Sequence, residues 1–267
     1  MKKKRRGAGL TRRRALRVSQ RDAGLLPRLP QLKAEHPLWG YRRIWAYRRF
    51  VEHCSVNKKR LLRLMQEHRL VVRPNPQLKA KRTAGGSKPR PLKPQEWWGI
   101  DMTKVLVEGF GWVDIVLVLD WYTKKIVGYY AGSPCTARQG LAALDMAVNR
   151  QFPEGARGQG LCVMSDNGSQ PTSLAFRRVC ATLGIHQAFT SDNNPTGNAG
   201  TERGMRTLTE ECLWLQDWTC PCELSRAVGR WITDDNEHYL HSALGYKTPR
   251  QVAREYYSSP SPPCIAA

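Results

Sequence analysis

The chain has 267 residues, 41% of them hydrophobic, and carries 43 Lys/Arg against 22 Asp/Glu for a net charge of +21. That apolar share supports a packed core and excludes a disordered chain, and no apolar run approaches the roughly 18 residues of a membrane span. Residues 1–94 hold 28 Lys/Arg and 4 Asp/Glu, leaving 15 and 18 for the rest, so all the excess positive charge lies in the first third and points to a polyanion such as nucleic-acid phosphate.

The opening MKKKRRGAGL lacks the apolar stretch of a secretory signal, and the eight cysteines make no CxxC pair. Cys220-Pro-Cys222 has the wrong spacing for a zinc knuckle. The expectation is a cytoplasmic, nucleoid-associated protein with reduced thiols and no membrane partner. Residues 1–35, basic and interrupted by Pro27 and Pro30, are expected to form a loosely ordered arm. Residues 36–74 read as a small helical domain. Ile44, Tyr47, Phe50 and Val51 recur at helical spacing over about 41–52. Ser55 is placed to cap a second helix, with Val56, Leu61, Leu64 and Met65 inward and Lys58, Lys59, Arg60 and Arg63 outward. Two short helices with a basic outer face suggest a helix-turn-helix-like module, in which Arg42, Arg43, Lys58, Lys59, Arg60 and Arg63 are the candidate DNA contacts. Residues 75–95 mix Pro, Gly, Ser and Lys without periodicity and read as a basic linker.

The core is expected to begin at Glu96 and to run to about residue 255, with 256–267 as a tail. Three strands, at 97–107, 112–122 and 126–132, are joined by short turns into an antiparallel meander. A helix at 136–152, a buried strand at 160–166, a helix at 172–184 stopped by Gly184, and a short strand at 185–190 follow. Helices are expected at about 199–216 and 223–234, and a last one after Thr248-Pro249. This order implies an α/β fold built on a mixed five-stranded sheet with helices on both faces.

Three carboxylates stand out against this frame. Asp101 sits mid-strand in WGIDMTK, Asp166 ends the fourth strand in SDNGSQ, and Glu202 lies in the first helical turn of NAGTERGM. Each has an ordinary structural use: a strand Asp bonds its own backbone, Asp-Asn-Gly makes a turn, and a Glu in a first turn complements the helix dipole. Together they would repel unless divalent cations neutralise them. Hard oxygen donors suit two Mg²⁺ or Mn²⁺ ions, able to clamp a phosphodiester during in-line displacement. Exactly 35 residues separate Asp166 from Glu202.

With that interval the three carboxylates resemble the D,D(35)E signature of the retroviral-integrase and transposase superfamily, which has the ribonuclease H-like fold. WGIDMTKV, SDNGSQ and NAGTE are similar to the three catalytic motifs of bacterial insertion-sequence transposases of the family numbered three, second-reading-frame product. HPLWGYRRI…VNKKRLLRLMQEHRL resembles that family's upstream helical DNA-associated domain, and NEHYLHSALGYKTPRQV its C-terminal part. The resemblance implies a DNA transposase in which Asp101, Asp166 and Glu202 bind two Mg²⁺ (or Mn²⁺), cut 3′ ends of an insertion sequence and transfer them to target DNA. It implies a homo-oligomer working with a first-frame DNA-binding partner or fusion. Arg203 and Arg206 are the candidate contacts to DNA near the scissile phosphate, since Thr209 stands where the family commonly has Lys or Arg. Asp235 and Tyr239 likewise stand where an aromatic residue and an Arg are usual. A nuclease of the same fold and a non-catalytic DNA-binding copy are the alternative functions.

Overall fold

The computed structural model describes residues 20, 22–71, 89–133, 138–166, 171–190 and 197–259. The chain forms two compact units, Met1–Ala80 and Lys81–Ala267.

The first unit holds α1 (Arg28–Glu35), α2 (Tyr41–Phe50) and α3 (Lys58–Glu67). The last eight residues of the expected basic arm are therefore helical. Pro27 supplies a helix-compatible φ of −62° at the start, and Leu29 and Leu32 are fully buried. Ile44, Trp45, Ala46, Leu61, Leu64 and Met65 complete this core. The indole N–H of Trp45 donates to the Val56 carbonyl at 2.7 Å and ties α2 to the segment before α3. Phe50 and Val51, which share the helical spacing of Ile44, are exposed: the helix ends there and the chain reverses through His53 in the left-handed region, φ 51°. The cap of α3 is Asn57 rather than Ser55, because the Asn57 side-chain oxygen reaches the Lys59 N–H at 2.8 Å.

The second unit is a five-stranded sheet in the order β3-β2-β1-β4-β5, built from β1 (Trp97–Val107), β2 (Gly111–Asp120), β3 (Ile126–Gly132), β4 (Cys162–Ser165) and β5 (His186–Phe189). The first three strands pair antiparallel and β1-β4-β5 pair parallel, the mixed sheet expected from the element order. Helices α4 (Arg138–Gln151) and α5 (Leu174–Leu183) cover one face. There Ala143, Leu144, Ala147, Phe176 and Cys180 pack on Trp98, Ile100, Val116, Val118 and Val163. Helices α6 (Ala199–Leu208) and α7 (Pro221–Glu237) cover the other, with Met205, Leu208, Leu224, Val228 and Ile232 against Ile115, Leu117 and Leu119. Successive residues of β2 thus alternate between two filled layers, which explains its unbroken apolar run. Gly128 lets α4 approach, since a side chain there would meet Ala143 and Ala147.

The helix expected over 199–216 stays α-helical only to Leu208 and continues as a π-turn over Thr209–Leu213, where the Thr209 hydroxyl donates to the Met205 carbonyl at 2.9 Å. A 3₁₀ turn (Ser242–Leu244) leads to α8 (Pro249–Ser258), closed at its start by the reciprocal Thr248–Gln251 capping pair. Asp120, the last residue of β2, is fully buried and accepts from the Thr123 N–H at 2.9 Å and the Gln95 N–H at 3.2 Å. The expected linker falls outside the described residues as far as 88, and its last residue, Gln95, is bonded into the core. Among the described residues no helix is long and apolar enough to cross a membrane.

The first residue of β3, on the outer edge of the sheet, is held by one side chain. Buried Asn236 accepts from the Ile126 N–H at 2.9 Å and donates to the Ile126 carbonyl at 3.0 Å, as a neighbouring strand would. Asn236→Ala strips both bonds and leaves two backbone groups unsatisfied, so an unfolding free energy lower by about 2–3 kcal/mol is expected in urea titration. A loss below about 0.5 kcal/mol would show that water replaces the amide without cost.

Candidate functional site

The parallel pairing of β1 with β4 sets up the site. Its register runs Trp97↔Cys162, Trp98↔Val163, Gly99↔Met164. Carried two residues further, the same offset brings Asp101 level with Asp166 at the carboxyl end of β4. Here the sheet opens: β4 stops at Ser165 while β1 continues to Val107. A crevice outside the carboxyl ends of parallel strands is where ligands of open α/β sheets sit.

Glu202 arrives from the opposite direction, in the first turn of α6. Its helix is clamped to β1 at Gly99. The Asn198 amide donates to the Ile100 carbonyl at 2.9 Å, and the Thr201 hydroxyl accepts from the Trp121 indole N–H at 3.0 Å. Asn198 and Thr201 are buried, and a Cβ on residue 99 would collide with Thr201 Oγ1, Trp121 Nε1 and Asn198 Oδ1 together. Trp121 is itself held by stacking on Trp97, centroids 5.7 Å apart. Of these residues Asn198 and Thr201 fall within a motif that the sequence makes conspicuous, NAGTERGM. The available signal for the rest was Gly99, a glycine inside a strand, which marks a close backbone approach.

Electrostatics link the three carboxylates. Asp101 is half-buried, and its Oδ1 accepts from the Met102 N–H at 2.9 Å. Burial pushes its carboxyl up to about 6; the Met102 N–H opposes this, and the Glu202 and Asp166 carboxylates add to it. Asp166 and Glu202 are exposed. Three hard oxygen donors with accumulated negative charge match a divalent cation in chemistry. Among the described residues no three His, Cys, Asp or Glu side chains form a group that could hold a metal ion as they stand. Asn167, Gly168, Ser169 and Gln170 lie outside the described residues.

Cations flank this region. Arg203 is exposed, and Arg206 pairs with Glu210 at 2.7 Å. Lys124, which the sequence reading passed over, sits in the left-handed region (φ 61°) and donates to the Trp121 carbonyl at 2.6 Å. Burial lowers its pKa; Asp120 opposes this and nearby Arg203 reinforces it. In the first unit Arg60 and Arg63, expected on the outer face, close on buried Asp22, each at 2.6 Å. A buried carboxylate needs such partners, so these two arginines are held inward. Lys58 lies over the Trp45 ring at 4.0 Å, Arg42 beside the Tyr41 ring, Arg43 is half-buried and Lys59 is exposed.

The comparisons with known proteins agree with this geometry. Two family models, both described as integrase core domain, match residues 91–195 and 183–249, and a model described as HTH-like domain matches residues 20–77. Residues 91–249 therefore carry an integrase core domain, and the chain resembles proteins of insertion elements. It is 28% identical over 263 residues to an uncharacterised 39.2 kDa protein of insertion element IS476 from Xanthomonas euvesicatoria, covering 92% of this chain and 73% of that protein. It is 21% identical over 239 residues to the transposase InsD of insertion element IS2 from Escherichia coli, covering 88% of this chain and 79% of that one. The integrase in the cryo-EM structure of a simian T-cell lymphotropic virus intasome with PP2A regulatory subunit B56 gamma shares the fold, with a TM-score of 0.53, 17% identity, and coverage of 83% of this chain and 78% of that one. The sheet is thus ribonuclease H-like in fold.

The positions that depart from the family's sequence pattern have local structural uses. Asp235 is buried with its Oδ2 3.4 Å from His241 Nε2, and Tyr239 packs edge-on against the His241 ring.

A raised Asp101 pKa means the folded state binds its proton more tightly than the unfolded chain does. That stability is present below about pH 4 and is lost as the pH rises through about 6. In metal-free buffer Asp101→Asn is therefore expected to stabilise the protein at pH 8 by about 1–3 kcal/mol, shrinking toward zero near pH 4. Thermal melts of both proteins across that range check it; an equal gain at pH 4 and pH 8 contradicts the assignment.

Proposed function

We propose that this protein is a DNA transposase that cuts the 3′ ends of an insertion sequence and joins them to target DNA. The observation that supports the reading is Asp101 on the central strand, whose carboxyl burial lifts to about 6 with the Glu202 and Asp166 charges near enough to add to it. The integrase core domain and the similarity to insertion-element transposases support the same chemistry.

In this reading the three carboxylates hold two Mg²⁺ or Mn²⁺ ions. When bound, these supply charge neutralisation and Lewis acidity at the phosphodiester. The chain's own contribution is position. Asp101 is fixed by the Met102 N–H and by the central strand. Glu202 is held over the strand ends by the Asn198 and Thr201 bonds, so little reorganisation accompanies reaction. Water is the nucleophile when the element end is cut, and the freed 3′-OH is the nucleophile when the end is joined. Arg203 and Arg206 contact phosphates beside the site. The helical unit grips DNA through Arg42, Arg43, Lys58 and Lys59, with a strong salt dependence. Recognition of the element ends is shared with a first-frame partner or fusion, in a homo-oligomer.

The test is purified protein with a labelled element end and Mg²⁺. Asp166→Asn is expected to abolish both cutting and joining, by about 10³-fold or more, while DNA affinity changes less than about threefold. Normal cutting by this variant removes Asp166 from the site. Cutting by the wild type without joining would identify a nuclease, and binding without cutting a non-catalytic copy.

A further inference from the structure

One pair of nucleophilic side chains lies outside the machinery described above. Cys220 and Cys222 flank Pro221 at the start of α7, with their Sγ atoms 2.8 Å apart. The local sequence accounts for the approach. Cys220 is the extended N-cap residue (φ −135°, ψ 122°), Pro221 locks the first helical position, and Cys222 follows within the first turn. The abrupt change from extended to helical backbone at a rigid residue leaves the two sulfurs facing each other. Cys220 is half-buried and Cys222 exposed, so both remain within reach of a small reactant.

The surroundings favour a thiolate. Arg226, one turn along α7, places its Nη2 3.5 Å from Cys222 Sγ. The Cys222 thiol, then the backbone N–H groups of Glu223 and Cys222, hold Cys220 below the ordinary thiol range. Two other cysteines contrast with this: burial pushes Cys180 to about 12 and Cys212 to about 11, values at which a thiol is inert.

We propose that Cys220 and Cys222 form a redox-active dithiol that exchanges with low-molecular-weight disulfides and closes into an intramolecular disulfide. The Cys220 thiolate attacks one sulfur of the small disulfide, forming a mixed disulfide and releasing one thiolate. Cys222, after losing its proton, attacks Cys220 Sγ, forming the Cys220–Cys222 bond and expelling the second thiolate. The protein loses two electrons and two protons, and the small disulfide is reduced to two thiols. The site is independent of the proposed polynucleotide chemistry and stands or falls separately from it.

Oxidised glutathione is the probe. The reduced full-length protein is exposed to it at pH 8, quenched in acid, alkylated with N-ethylmaleimide and mapped by peptide mass. The peptide spanning 220–222 is expected to lose two hydrogens and escape alkylation before Cys54 or Cys162 is modified, about threefold or more faster in the native protein than in urea. Cys222→Ser is expected to retain glutathione on Cys220 as a stable mixed disulfide. The proposal is overturned if the pair stays doubly alkylated, if another cysteine reacts first, if native and urea rates coincide, or if Cys220 in the variant stays unmodified.

Discussion

A missing side chain at residue 99 governs the architecture of the site. The first turn of α6 can lie on β1 only because Gly99 offers bare backbone; any Cβ there would occupy space taken by Thr201, Trp121 and Asn198. The contact is polar as well as close. Asn198 uses its amide on the Ile100 carbonyl instead of capping its own helix, so one residue is at once the end of a loop and a strut to the strand that carries Asp101. Glu202 follows four residues later and inherits that fixed origin. Burial of the clamp makes it rigid, since an unmade bond in that setting costs the full desolvation of its groups.

The carboxylates are held in a state that the fold alone does not favour. Asp101 lies where water is scarce and two like charges are near, and its raised pKa measures that discomfort. Such an arrangement is weak as structure and useful as a receptor for positive charge, the usual pattern at functional sites. The opposite economy operates in the helical unit. All four acidic residues of the basic first third, Asp22, Glu35, Glu52 and Glu67, are engaged by arginines. Part of the positive charge therefore serves the fold, and the excess that could meet a phosphate backbone is carried by other cations, among them exposed Lys59.

Much of the second unit was legible from local pattern. The meander, the two alternating helix–strand steps and the stop at Gly184 follow from period, turn residues and a left-handed C-cap at φ 67°. The misreadings share a cause. Asn57 caps where Ser55 is expected to, Phe50 and Val51 keep helical spacing yet are exposed, and Arg60 and Arg63 turn to Asp22; each depends on which direction a side chain takes once the chain has reversed. Likewise the helix after Asn198 was read as continuous, because nothing in its periodicity signals a π-turn set by the Thr209 hydroxyl and the packing beyond it.

Sequence alone determined which residue types were available and in what order: the strand and helix sequence, the confinement of positive charge to the first third, and three carboxylates with 35 residues between the last two. These are local or compositional properties, carried by every window of the chain. Tertiary structure alone decided that β1 and β4 pair in parallel, that the helix carrying Glu202 is fastened to β1 through Gly99, Trp121 and Thr201, and that two cysteines meet across a proline. Those facts depend on strand pairing and close packing between residues up to about a hundred positions apart, whose distances no periodicity encodes.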